Sequence, residues 1–340
     1  MNKGIFFMVV CCLLLSFIEY SRNEYLEETS KILIQFIQKA DSQWVSSSFY
    51  YIDQITSVCF LIFSGLLYLS HNTEDGFLCV LSGYSGAAFS GILKALFAHP
   101  RPFWKYEDIK AVACPKDWGS PSGHSMAAGT PLLVIYLLLV NRNFPKKYRI
   151  IVIVSLFLTA LTRLYIGAHF FFQILLGFAF SGLLALTLVT LHTQHHFKFT
   201  CQVFCIKSQV LMFLMILFSV FLINLQAPLW EKFWTENFET KCSDSLSNEK
   251  AQNKALMDSL LWANIGGLIA GRYFLGPGNF LCTSKILSLV VFTVSIYVTL
   301  QIDQVLKGSL LLLLGSRYVE GFFISFVLPK VFCYKTKDYT

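Results

Sequence analysis

Gly119-Ser120-Pro121-Ser122-Gly123-His124, running straight into the apolar stretch Met126 to Val140, decides how the chain is read. With its polar start, the stretch is long enough to cross a bilayer as a helix. Ser120 suits the N-cap, and Pro121 suits the first helical position, where its missing N–H has no partner to lose. The N–H groups of Ser122, Gly123 and His124 are then expected to point out of a helix N-terminus. Such a terminus binds anions, and Gly123 lets a phosphate approach the backbone closely. His124 adds a titratable imidazole beside that anion. Taken alone, the segment reads almost as well as a capped membrane helix with an incidental histidine.

The composition fixes the class. The 340 residues are 55% hydrophobic and only 14% charged, with a mean hydropathy of +0.58, beyond what a soluble domain carries. The chain is predicted to be an all-α polytopic membrane protein with nine transmembrane helices, at 50–70, 77–98, 121–140, 148–166, 168–191, 209–226, 255–273, 284–301 and 309–331. The net charge of +7 bears on topology more than on nucleic acid, since no basic stripe alternates with base-stacking aromatics. The ten cysteines are scattered without a CxxC pair, which argues against a zinc framework.

Lys3 followed by Ile5 to Phe17 reads as a signal-peptide core or an uncleaved signal anchor over residues 1–22. Residues 23–49 form a lumenal N-terminal segment with Leu33, Ile34, Phe36 and Ile37 in helical register, and residues 50–340 form the polytopic domain. Lys and Arg concentrate on the loops at 141–147 and 192–208 and on the C-terminal tail, which makes that face cytoplasmic. The larger insertions at 99–120 and 227–253 lie on the opposite face.

Two more stretches share that opposite face with His124. In Lys94-Ala95-Leu96-Phe97-Ala98-His99-Pro100-Arg101-Pro102, two cations two helical turns apart can face one point. Snorkelling to the interface explains a lone Lys or Arg near a helix end, but less readily two on one stripe. In Thr162-Arg163-Leu164-Tyr165-Ile166-Gly167-Ala168-His169, a buried cation precedes a sharp break and a second histidine. Gln173, four residues after His169, is expected on the same helix face, with its amide oxygen accepting the His169 Nδ1–H.

KALFAHPRP, PSGH and TRLYIGAHFFFQ together resemble the three signature segments of the type 2 phosphatidic acid phosphatase and haloperoxidase superfamily. Within it they are most similar to the glucose-6-phosphatase catalytic subunits. The superfamily pattern has Ser and Asp where this chain has Thr162 and Gln173, and the glucose-6-phosphatases also carry Gln at the second position. Asp41-Ser42-Gln43-Trp44, the layout of spans, and Gly119-Ser120 before PSGH extend the likeness, whereas residues 1–22 lie beyond it.

The resemblance implies a phosphatase helical core and an integral-membrane phosphohydrolase acting on glucose 6-phosphate or a related sugar phosphate. The enzyme would lie in the endoplasmic reticulum membrane, with a lumenal active site and a cytoplasmic C-terminus. It assigns His169 as nucleophile, His124 as general acid and base, and Gln173 as the group orienting His169. Lys94, Arg101, Ser122, Gly123 and Arg163 would bind the phosphate, without metal or cofactor. Membrane lipid and a glucose-6-phosphate translocase are the expected partners. Asp41, Trp104, Asp117 and Trp118 are candidates for sugar recognition, each as readily an interfacial residue. Cys114 and Cys242, one in each large insertion, are expected to form a disulfide on the oxidising side. Two other readings compete. One is a lipid-phosphate phosphatase of the same superfamily. The other is a non-catalytic membrane protein that binds or transports phosphorylated ligands.

Overall fold

Helix α4 (Thr73–Phe97) is the axis of the molecule, buried along most of its length and in contact with most of the other long helices. It opens on Glu74 and Asp75, which suit the positive end of the helix dipole. It stops where Ala98 adopts a left-handed φ of 43° and Pro100 and Pro102 follow. The computed structural model describes residues 3–21, 24–40, 42–53, 55, 73–194, 202–225, 230–276, 280–282, 290, 294 and 309–335.

The other described helices are α1 (Lys3–Tyr20), α2 (Glu24–Gln38), α3 (residues 43–53), α5 (Pro102–Lys105), α6 (Gly123–Ala127), α7 (Gly129–Asn141), α8 (Lys146–Tyr165), α9 (Phe171–Thr193) and α10 (Gln202–Leu225). They continue with α11 (Lys232–Lys241), α12 (Asn248–Ser259), α13 (Leu261–Leu275), α14 (Leu310–Phe322) and α15 (Leu328–Phe332), the last two joined by a π-helical turn at Phe323–Val327. A short antiparallel pairing of Phe280–Cys282 with Cys333–Lys335 is the one sheet among the described residues.

Seven described helical stretches are long and apolar enough to span a membrane: Lys3–Tyr20, Glu74–Lys105, Gly123–Asn141, Lys146–Tyr165, Phe171–Thr193, Gln202–Leu225 and Leu310–Lys330. The protein is a helical, multi-pass membrane protein. Of the nine expected spans, 284–301 and most of 50–70 lie outside the described residues. The expected span at 255–273 is divided at Leu260 into α12 and α13. The N-terminal apolar segment is helical over 18 residues and packs along α9, where Met8 reaches the bare backbone of Gly182.

Three apolar cores meet at α4. On one side α7, α8 and α9 close around Leu78, Val134 and Ala185. On the other, α10, α13 and α14 pack through Leu268 and Leu313. There α13 and α14 approach so closely that a Cβ on Gly267 would sit 2.0 Å from the Tyr318 carbonyl oxygen. Small residues at such crossings let two membrane helices gain backbone-to-backbone packing. The third core is a cap formed by the 99–120 connection, α2 and α11, with Phe103, Trp104, Trp118, Trp234 and Phe238 buried inside. The Cys114–Cys242 disulfide ties its two halves together, as expected from the sequence. Trp104 and Trp118 are buried core residues of this cap.

Candidate active site

A cavity of about 1090 Å³ opens beneath the cap, and residues of all three sequence motifs line it. Lys94 and Arg101 come from the end of α4 and the turn after it, Gly123 and His124 from the start of α6, Arg163 from the last turn of α8, and His169 from the turn before α9. Each sits at a helix end because its helix is broken there. Proline does this after α4, Ser122 caps α6 with its hydroxyl accepting from Ser125 N, and Gly167 turns the chain at φ 75° after α8.

His169 is buried and its tautomer follows from its partners. Nδ1 lies 2.7 Å from the Gly119 carbonyl, which can only accept, so Nδ1 carries the proton. Nε2 therefore presents a lone pair, and Arg101 Nη1 donates to it at 3.1 Å. Burial and the charges of Arg101 and Arg163 push the His169 pKa well down, so the ring is neutral. Arg101 is fixed in turn by donating from Nε to the Asp117 carbonyl at 2.7 Å and from Nη1 to the Ala168 carbonyl at 2.8 Å.

Three carboxylates complete the charge balance. Asp117 bridges Lys94 and Arg101, the latter at 2.8 Å from Nη2. Although burial alone would raise its pKa, the Arg101 and Lys94 cations hold the Asp117 carboxyl well below the usual carboxylate range. Asp53 on α3 meets Arg163 Nη1 at 2.5 Å and stands 3.6 Å from His124 Nε2. Asp258 on α12 lies 3.5 Å from Lys94. The sequence had suggested Asp41 and Asp117 near the motifs, for sugar recognition, whereas in the structure each motif cation is opposed by a carboxylate.

Three sequence expectations need correction. Gln173 does not touch His169. Its amide contacts Phe170 N, the Pro100 carbonyl and His99 Nδ1, because α9 begins only at Phe171 and His169 lies in the preceding turn, where helical i to i+4 spacing does not hold. The N-cap is Ser122, not Ser120. The Ser122 N–H, expected to point outward, donates instead to the Gln173 carbonyl at 3.1 Å, while its hydroxyl oxygen accepts from Ser125 N and keeps its own hydrogen to donate.

Sequence reasoning missed Asp53, Asp258 and Ser90. Ser90, one turn before Lys94, lines the cavity with a buried hydroxyl that has no hydrogen-bond partner among the described residues. The buried Arg163 Nε is likewise unpartnered. Asp53 left no local signal, since it lies 110 residues from Arg163 in an apolar segment. Asp41 lies outside the described residues. The outer part of the cavity is mixed. Lys116, Lys250, Asn253 and Lys254 form a polar rim, and Leu256, Met257, Leu260, Leu310 and Leu313 an apolar wall.

No curated protein matches the chain. A solved structure that it resembles is that of a transmembrane PAP2 type phosphatidylglycerolphosphate phosphatase from Bacillus subtilis. The two share 22% identity and a TM-score of 0.49, over 57% of this chain and 98% of that one. Residues 76–197, which hold all three motifs, match the PAP2 superfamily.

Proposed function

We propose that the protein is an integral-membrane phosphoric monoester hydrolase that works through a phosphohistidine. The observation that carries this reading is the convergence of His124, His169, Lys94, Arg101 and Arg163 on one cavity, with His169 Nε2 unprotonated and facing a guanidinium. His169 Nε2 attacks phosphorus, and the phosphorus–oxygen bond to the leaving alcohol breaks. His124 gives that oxygen its proton, and Asp53 offsets the charge on the ring before the transfer. Water then attacks the phosphohistidine, His124 takes the water proton, and orthophosphate leaves with His169 restored. Lys94, Arg101, Arg163 and the backbone of Gly123 stabilise the charge spread over the phosphoryl oxygens, for which Arg163 Nε and Ser90 Oγ are unused donors.

Glucose 6-phosphate or a related sugar phosphate is the preferred substrate in this proposal. The polar rim of Lys116, Lys250, Asn253 and Lys254 supports it, since these groups can hydrogen-bond a polyhydroxyl leaving group. A lipid phosphate is the second reading, favoured by the apolar wall of Leu256, Met257, Leu260, Leu310 and Leu313. The Cys114–Cys242 disulfide on the cavity side supports an oxidising compartment, in line with a lumenal site in the endoplasmic reticulum, a cytoplasmic C-terminus, and substrate delivery by a translocase. The test is phosphate release from glucose 6-phosphate and from phosphatidate in parallel, with His169→Ala as control. Release from the lipid alone would replace the sugar reading by the lipid one. Release from neither would end the enzymatic proposal.

A further inference from the structure

Behind the cavity lies a second buried charge cluster that the mechanism does not use. Helix α1 is apolar along its length, and Cys12 and Glu19 are its buried residues. Glu19 Oε1 stands 3.0 Å from His99 Nδ1, and Glu27 Oε1 on α2 stands 2.9 Å from His99 Nε2. The second oxygen of Glu27 pairs with Lys105. Neither oxygen of Glu19 has an aligned hydrogen-bond partner among the described residues, and Gln173 Nε2 stands 2.8 Å from the same His99 Nδ1. A buried carboxylate is costly unless a charge opposes it, and here the opposing group is a ring held between two carboxylates.

His99 is tied to the reaction centre through the backbone. Its carbonyl accepts from Gly119 N at 2.8 Å, and the Gly119 carbonyl receives the His169 Nδ1–H at 2.7 Å. Arg101 follows two residues later, after a turn in which Ala98 is already in the left-handed region. A shift of the His99 ring would therefore move both the strap under the nucleophile and the arginine facing it.

We propose that Glu19, on the signal-like first helix, is a positioning residue that clamps His99 together with Glu27, so that residues 1–20 stay in the working protein. The kinetic part of this inference rests on the phosphohydrolase reading, and the retention of the helix does not. A cleaved signal sequence has no reason to bury a carboxylate on the domain it leaves. A merely lipid-facing anchor has no reason to carry one.

The test uses the full chain purified from membranes. Peptide mapping of the active protein is expected to recover the segment containing Glu19, and a mature N-terminus beyond residue 20 would overturn the inference. In the kinetic arm, orthovanadate serves as a mimic of the five-coordinate phosphoryl group. Its Ki reports geometry at His169 and is insensitive to the fraction of misfolded enzyme. Glu19→Gln is expected to raise that Ki about tenfold, the scale of a sub-ångström misplacement. His99→Gln should do the same, and the double variant no more than either. An unchanged Ki, or strictly additive effects, would refute the positioning role. If the variants do not fold, the N-terminal mapping of the wild type still decides. Wild-type protein with neither hydrolysis nor vanadate binding would refute the phosphohydrolase reading instead, leaving retention to the mapping.

Discussion

Asp117→Asn separates the internal counter-ion of the cavity from its other parts. The Asp117 carboxylate touches Lys94 and lies 2.8 Å from Arg101 Nη2, and all three side chains are buried. At that separation one charge pair is worth about 6 kcal/mol with an effective dielectric of about 20. Much of this offsets desolvation, and removing one partner of a buried pair typically costs about 3–5 kcal/mol. With roughly 2–4 °C per kcal/mol for a domain of this order of size, the variant should melt about 10 °C lower.

An anion that replaces the carboxylate should return part of that loss. Orthovanadate at a hundredfold excess over its Kd stabilises by about 2.7 kcal/mol if it binds only the folded state. Because the variant frees two cations for it, the vanadate-induced shift should be larger in Asp117→Asn than in the wild type. The pH dependence has a definite sign. A carboxyl held below its ordinary pKa contributes stability that is complete above about pH 4 and declines only as pH falls through the lowered value. The gap between wild type and variant should hold from neutral to mildly acid pH and close only below it. Thermal unfolding in detergent, with and without orthovanadate, measures all of this. A melting point within about 2 °C of the wild type, or equal vanadate shifts, would refute the counter-ion role.

Three other outcomes follow from the same geometry. Asp53→Asn removes the charge beside His124 and should lower kcat about a hundredfold, the contribution of a well-placed acid–base group; unchanged steady-state turnover would remove Asp53 from the chemistry. A methyl group on Gly123 would stand 2.9 Å from Lys94 Nζ and 3.2 Å from Ser90 Oγ, so Gly123→Ala should cut kcat/KM by up to about a hundredfold, and wild-type kinetics would show that Lys94 has room to spare. Cys114→Ser should lose about 2–5 kcal/mol of stability and become insensitive to reductant, and non-reducing peptide maps with unlinked Cys114 and Cys242 would contradict the cap.

What the sequence disclosed depended on how local each signal was. Lys94, Arg101, His124, Arg163 and His169 were legible because helix ends and fixed spacings carry them, and the structure gathers all five on one cavity. The reading of Gln173 failed because it assumed that α9 begins at His169, whereas the helix starts two residues later. The start of α6 was read two positions early, since the cap lies at Ser122 and not at Ser120. Asp53 and Asp258 are isolated acids in helices, and only the tertiary fold brings them 110 and 164 residues across the chain to Arg163 and Lys94. Glu19 follows the apolar run Ile5 to Phe17 with nothing local to mark it, and its burial on His99 depends on α1 lying along α9.

The central claim is that His169 Nε2 takes the phosphoryl group while His124 serves the leaving oxygen. Rapid mixing with a radiolabelled phosphomonoester, quenching in alkali and mapping the labelled peptide test it most directly. The account predicts an acid-labile, alkali-stable label on His169 that is absent in His169→Ala. Label on a serine or carboxylate, or full turnover by His169→Ala, would contradict it.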